Sequence, residues 1–262
     1  YLSRFATDYD VKGILGIGGG GCVFAAANKH DEVKYAVKRI TVDPRNMNEA
    51  LKEVRALAKL DHLSIVRYHS TWVEEPPEDW QVSEKHKIKQ IIKFKKDNLD
   101  YHESCVFIYI QMQLCNHSLS DWLRDNQEES SRNIPRMKAW FKQIVSAVEY
   151  IHKRNLIHRD LKPSNILFAE ADLLKLCDMG IATERRYDEE TDTTLTRTSI
   201  GTLLYMSPEQ RLLFRYSSKS DVFTLGLILV ELCVVMTVTE RSEIFNNFRR
   251  GDNFQCINDE KT

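Results

Sequence analysis

His158-Arg159-Asp160-Leu161-Lys162-Pro163-Ser164-Asn165, followed by Asp178-Met179-Gly180, decides how this chain is read. A carboxylate, Asp160, is followed by an ammonium, Lys162, and a carboxamide, Asn165. Between Asn165 and Asp178 lie two apolar runs, Ile166-Leu167-Phe168 and Leu173-Leu174-Lys175-Leu176-Cys177, around Glu170-Ala171-Asp172. Short apolar runs around a polar break predict a β-hairpin. A hairpin returns the chain to the end where it began, so Asn165 and Asp178 converge. An amide oxygen and a carboxylate are hard donors suited to Mg²⁺, which keeps waters and takes further ligands from phosphates. Asp160 is then placed to accept the proton of an attacking hydroxyl, and Lys162 to neutralise charge on a phosphoryl group in transit. A merely solvated polar turn would not require these residue types at this spacing.

Toward the N-terminus, a glycine cluster reads Gly16-Ile17-Gly18-Gly19-Gly20-Gly21-Cys22-Val23, a G-x-G-x-x-G-x-V pattern. Glycines let backbone amides approach a phosphate without side-chain obstruction. A dinucleotide-binding version would open a helix, whereas Val23-Phe24-Ala25-Ala26-Ala27 predicts a strand, so the arrangement is strand–loop–strand. Tyr35 to Ile40 predicts a further strand with Lys38 embedded in it, positioned for phosphates. Asp43-Pro44 signals a helix start, and the apolar stripe predicts a helix over Arg45 to Leu60 that carries Glu49 and Glu53. Val106 to Met112 predicts a strand.

The chain has 262 residues, 42% hydrophobic and 29% charged, with a net charge of −1. That length supports one large domain or two lobes. Its charge gives no field that attracts nucleic acid or an anionic membrane. The lysine-bearing segment 75–104 predicts a charged insert rather than a nucleic-acid patch. Six cysteines form no C-x-x-C pair, which predicts buried free thiols in a reducing compartment, hence a cytoplasmic setting. The apolar run Val222 to Met236 is too short for a bilayer and contains Glu231.

The match of residues 158–165 to H-R-D-L-x-x-x-N is complete, and together with the glycine loop and Lys38 it resembles the eukaryotic protein kinases over nearly the whole chain. Met179 stands where most kinases carry Phe. The resemblance implies an α+β bilobal fold. The N-lobe is expected over 1–112, including the insert 75–104; the hinge and C-lobe over 113–262, incomplete after the helix that the family letters G. It implies ATP and Mg²⁺. Asp160 becomes the catalytic base, with Lys162, Asn165, Lys38 and its partner Glu53 completing the catalytic set; Asn165 and Asp178 hold metal. ATP is expected against Leu15, Gly16, Ile17, Gly18, Gly19, Gly20, Gly21, Cys22, Val23, Ala36, Lys38, Met112, Gln113 and Cys115.

The resemblance extends to regulation and partners. Thr183 to Ser199 becomes an activation loop with Thr194, Thr196, Thr198 and Ser199 as phosphorylation candidates, Thr196 and Thr198 equally placed. Ser207-Pro208-Glu209 closes it. Asp221 is expected to hold the catalytic-loop backbone. The long insert, Glu75 to Gln81, and Ile110 to Cys115 resemble the kinases of the α subunit of translation initiation factor 2, most of all their endoplasmic-reticulum stress type. That implies Ser of this α subunit as acceptor, docked by the helix Thr237–Gly251. There Ile244, Phe245 and Phe248 face the core and Arg241, Asn246, Asn247 and Arg249 are free for recognition. It also implies a homodimer through the N-lobe and a whole protein that can be membrane-anchored with its kinase facing the cytosol. The alternative reading is a kinase-like scaffold that transfers no phosphate.

Overall fold

The computed structural model describes residues 3–18, 21–76, 105–178, 183–184, 203–213 and 217–251. The chain forms two compact units, Tyr1–Leu60 with Arg67–Leu114, and Asp61–Val66 with Cys115–Thr262. The division falls after Leu114, beyond the Met112–Gln113 boundary read from the sequence. Residues 61–66 join the second unit because Ile65 bridges Leu176 and Lys175 Nζ donates to the Leu63 carbonyl at 2.6 Å.

In the first unit, a short helix α1 (Arg4–Asp8) precedes strands β1 (Tyr9–Gly18), β2 (Gly21–Asn28) and β3 (Lys34–Val42). Strands β4 (Tyr68–Glu74) and β5 (Val106–Gln113) complete one antiparallel sheet in the order β1-β2-β3-β5-β4. One face is closed by aromatic rings: Phe5 stacks 4.9 Å from Tyr109, and Trp72 lies between Tyr109 and Tyr9 at 5.1 and 5.5 Å. Beside them Glu74 is buried, and its carboxylate is filled. It accepts from Phe5 N at 2.9 Å, Trp72 Nε1 at 2.6 Å and Ser3 Oγ at 2.5 Å, which offsets its desolvation.

The helix expected over Arg45–Leu60 begins as a 3₁₀ turn, Pro44–Asn46, capped by Asp43 accepting from Arg45 N at 2.9 Å. The α-helix α2 proper is Met47–Ala58. The tighter first turn is a common way to satisfy a helix start.

The second unit is mostly helical. It contains α3 (Leu119–Asp125), α4 (Ile134–Lys153), β6 (Leu156–Ile157), β7 (Ile166–Glu170), β8 (Leu173–Leu176) and β9 (Thr183–Glu184), then α5 (Pro208–Leu213), α6 (Ser218–Cys233) and α7 (Val238–Arg250). Capping boxes start α3 at Ser118/Asp121 and α7 at Thr237/Glu240, and Gly251 ends α7 in a left-handed conformation. On α4 the buried stripe is Met137, Trp140, Ile144, Ala147, Val148 and Ile151. Val145 is 38% exposed, because it stands one helical step round from Ile144.

The α+β class read from the sequence is the one observed. None of the five described cysteines is placed in a disulfide, and only Cys115 of them is buried. Cys22, Cys105, Cys177 and Cys233 stand at or beside the ends of elements and are half-buried, which corrects the expectation of buried thiols. Among the described residues no helix is long and apolar enough to cross a membrane.

Candidate active site

The second unit assembles its polar centre between β6 and the β7–β8 hairpin. Helix α4 is capped by Arg154, and Asn155 takes a left-handed turn (φ 60°) into β6, which pairs with β9. The hairpin forms as expected, with Ile166 opposite Leu176. Its open end is closed by Cys177 N donating to the Asn165 carbonyl at 2.9 Å, which places Asn165 and Asp178 side by side.

Between β6 and β7 the loop is held from three directions. His158 is fully buried; its Nε2 lies 3.1 Å from the Cys177 carbonyl and its Nδ1 accepts from Asp160 N at 3.3 Å. Asp221, at the start of α6, is 1% exposed and accepts from His158 N at 2.9 Å and Arg159 N at 3.0 Å. His152 Nε2 meets the same carboxylate at 2.7 Å. Arg159 has φ 68°, a conformation that costs a non-glycine residue energy, and Asp221 is what fixes it.

The chemistry converges on Asp160, which is 8% exposed. Its Oδ2 accepts from Lys162 Nζ at 2.6 Å and Asn165 Nδ2 at 3.1 Å. Its Oδ1 is buried and has no hydrogen-bond partner among the described residues. A buried carboxylate oxygen left open is one that a bound hydroxyl can fill. Asn165 Nδ2 also donates to the Asp160 carbonyl at 2.8 Å, so the amide nitrogen is committed and its oxygen is the end available to a cation. Asp178 is exposed and left-handed at φ 57°. An amide oxygen beside a carboxylate fits Mg²⁺ by donor type.

In the first unit, the pairings Val23–Lys38 and Ala36–Met112, with the two-residue repeat of β3, place Val23, Ala36, Lys38 and Met112 on one face of the sheet. Lys38 is 9% exposed. Ile17 pairs with Cys22 and Gly18 with Gly21 at the loop end of β1 and β2, while Leu15 and Ile17 are exposed. Gln113 N donates to the Arg67 carbonyl at 2.9 Å, and burial pushes the Cys115 thiol up. Gly16 lies in β1 opposite Val23.

Gly19, Gly20, Met179, Thr194, Thr196, Thr198, Ser199 and most of the insert lie outside the described residues. So does the side chain of Glu53, whose backbone is part of α2.

Two residues near the centre carried no local sequence signal. Gln210 of α5 accepts from Ser207 N at 2.8 Å and donates Nε2 to the Arg159 carbonyl at 3.3 Å. Arg249 of α7, expected on a free face, is half-buried and donates to the Met206 carbonyl at 2.8 Å. Arg241, expected on the same face, pairs with Glu231 at 2.5 Å, and Asn246 is half-buried as the acceptor of Arg249 Nη1 at 3.0 Å. The expected recognition face is therefore wrong for these three. Long arginine stems bury against the protein when distant acceptors are within reach. Phe248, expected on the core stripe with Ile244 and Phe245, is half-buried where they are buried.

Comparison with known proteins agrees with this geometry. The family model described as protein kinase domain matches residues 9–261. The interferon-induced, double-stranded RNA-activated protein kinase of Mus musculus is 39% identical over 99% of this chain and 46% of its own length. The initiation factor 2-alpha kinase GCN2 of Schizosaccharomyces pombe is 30% identical over 95% of this chain and 21% of its own length. Eukaryotic translation initiation factor 2-alpha kinase 3 of Rattus norvegicus is 25% identical over 88% of this chain and 39% of its own length. The chain thus spans less than half the length of these relatives.

Identity is higher to the RNA-activated kinase than to kinase 3, which corrects the expected likeness to the endoplasmic-reticulum stress type. The alignment with kinase 3 runs over 433 positions, against 263 with the mouse kinase. With its family model matched across nearly its whole length, the chain belongs to the protein kinase domain family.

Proposed function

We propose that this chain is the catalytic domain of a serine/threonine kinase whose acceptor is a serine of the α subunit of translation initiation factor 2. The observation that carries the catalytic reading is the asymmetric carboxylate of Asp160. One oxygen is held by Lys162 and Asn165; the other is buried and open. The relatives' names support the acceptor.

The protein kinase family uses ATP and Mg²⁺. Mg²⁺, when bound, would supply positive charge against the phosphates of ATP. The Asn165 amide oxygen and the Asp178 carboxylate would hold it. Asp160 Oδ1 accepts the proton of the serine hydroxyl as its oxygen attacks the γ-phosphorus of ATP, and the bond to the β–γ bridging oxygen breaks to release ADP. Lys162, fixed on the other oxygen, orients Asp160 and adds positive charge beside the transferring group. Val23 and Ala36 offer an apolar floor to the base, and Lys38, on the same sheet face, carries the charge suited to the α- and β-phosphates. Phosphorylation among Thr194, Thr196, Thr198 and Ser199 would add ~1.5–2 negative charges and order the loop by pairing with arginine, Arg159 among the candidates. The setting proposed for the reaction is the cytosol, and a second copy joined through the first unit is the proposed assembly.

The test is phosphate transfer from labelled ATP to recombinant initiation factor 2 α subunit by the full-length protein, with the modified residue mapped. Serine modification is expected. Nucleotide binding without transfer to any protein substrate would leave a scaffold and overturn the proposal.

A further inference from the structure

Arg249 sits on the last turn of α7 and turns inward. Its Nε donates to the Met206 carbonyl at 2.8 Å, its Nη2 donates to the Leu204 carbonyl, and its Nη1 donates to Asn246 Oδ1 at 3.0 Å. No carboxylate pairs with it among the described residues. Arg211 shares the Asn246 oxygen at 3.3 Å, and burial, helped by that second guanidinium, pulls Arg249 down to about 10. A half-buried cation without a counter-ion is tolerable only when its donors are filled. Here they meet two main-chain carbonyls and the Asn246 side-chain oxygen. A guanidinium is a rigid planar fork, so two carbonyls on one fork are fixed relative to each other.

The carbonyl between them is held from another side: Thr224 Oγ1 of α6 donates to the Tyr205 carbonyl at 2.8 Å. Three successive carbonyls, 204 to 206, are thus pinned by α7 and α6. The segment they belong to borders the catalytic base, because Asp160 shares a small cleft with Leu161, Tyr205, Met206 and Gln210. Gln210 closes the far end by linking Ser207 N to the Arg159 carbonyl. The backbone on one side of Asp160 is therefore built by contacts that α7 completes.

We propose that Arg249 is a positioning residue for the acceptor substrate, fixing the Leu204–Met206 backbone so that a serine- or threonine-bearing chain lies against Asp160 Oδ1. This rests on the reading of the chain as a serine/threonine kinase. It assigns α7 a task besides any docking: its inward side shapes the acceptor groove. Displacing the segment shifts the acceptor and leaves the glycine loop and Lys38 untouched, so the loss falls on the acceptor and not on the nucleotide.

The experiment uses the full-length kinase with a short serine peptide, too small to reach the outer face of α7. Initial rates are measured at varied peptide and at varied ATP. Arg249→Met is expected to raise the peptide KM about tenfold or more while the ATP KM stays within about twofold, since small misplacements of a reacting group cost rate steeply. Arg249→Lys, which keeps the cation and one donor, is expected to fall between Arg249→Met and wild type. An unchanged peptide KM in Arg249→Met overturns the proposal, as does a parallel rise in both KM values, which marks a general loss of structure. If Arg249→Met does not fold, Arg249→Lys decides: a raised peptide KM at normal ATP KM supports the proposal, and wild-type values overturn it. Wild-type protein that modifies no serine or threonine removes the kinase reading itself, a result distinct from an active wild type indifferent to Arg249.

Discussion

Asp221 Oδ1 accepts a hydrogen bond from Arg159 N at 3.0 Å, and Arg159 is held there at φ 68°. A conformation costing about 1–3 kcal/mol is thus maintained by a buried carboxylate at the start of α6, far along the chain from the loop it holds. The residue after Arg159 is the candidate base, so this strain sets where Asp160 points. Asn in place of Asp221 keeps the shape but turns an amide NH₂ toward one of the two main-chain donors. The expected outcome of Asp221→Asn is a stability loss of about 1–3 kcal/mol in urea unfolding, with a fall in kcat larger than any rise in ATP KM. Wild-type kcat in this variant would show that the Arg159 conformation does not matter to the base.

Asp160→Asn replaces the open carboxylate oxygen with a group that cannot take a proton. General-base contributions are about 10²–10⁴-fold, and kcat is expected to fall within that range. Nucleotide affinity, measured by titration calorimetry, is expected to stay near wild type, because Asp160 is not among the proposed nucleotide contacts. Lys38→Met is expected to do the reverse in part, weakening phosphate positioning while leaving the fold of the sheet intact.

Gly21 opens β2 at φ 114°, and a Cβ there would overlap the Arg39 carbonyl oxygen of the neighbouring strand. Both the backbone angle and the close approach demand glycine. Gly21→Ala is expected to cost about 1–3 kcal/mol of stability and to raise the ATP KM, since it moves the loop between β1 and β2. A thermal-shift measurement with and without nucleotide separates the two effects: the variant should lose part of the stabilisation that nucleotide gives.

Much of this was legible because the signals are local. The hairpin of β7 and β8 follows from two apolar runs around a polar break, and the starts of α3 and α7 follow from Ser118/Asp121 and Thr237/Glu240, each within one helical turn. Asp160, Lys162 and Asn165 meet because only a few residues separate them. The failures are long-range. Arg241 and Arg249 have the composition of a solvent face, yet their acceptors, Glu231 and the carbonyls of Leu204 and Met206, come from other elements. No periodicity announces an acceptor that the fold alone brings near. Glu74 is the same case in the first unit: a charged residue that ends a strand and is buried by three donors, two of them from the α1 region.

Activation is expected to leave a covalent trace. Phosphopeptide mapping after autophosphorylation should find phosphate on Thr196 or Thr198, with Thr194 and Ser199 as further acceptors. Activity should rise with that modification and fall on phosphatase treatment. An active enzyme carrying no phosphate between Thr194 and Ser199 would defeat this switch.

The outer side of α7 remains the place to test docking, with a changed set of residues. Arg241, Asn246 and Arg249 serve the interior, whereas Val238, Glu243, Asn247 and Arg250 are exposed. A folded α subunit touching this helix must do so through the exposed set. Replacing Asn247 and Arg250 together by Ala is expected to raise the KM for the initiation factor 2 α subunit about tenfold, near 1.4 kcal/mol of lost binding. The short serine peptide should be phosphorylated as before, because the groove beside Asp160 is unaltered. Arg249→Met differs in kind: it should impair peptide and folded substrate alike. Steady-state kinetics with both substrates therefore separates the two sides of one helix. An equal loss on both substrates from the Asn247/Arg250 pair, or no loss on either, would rule out docking through this face.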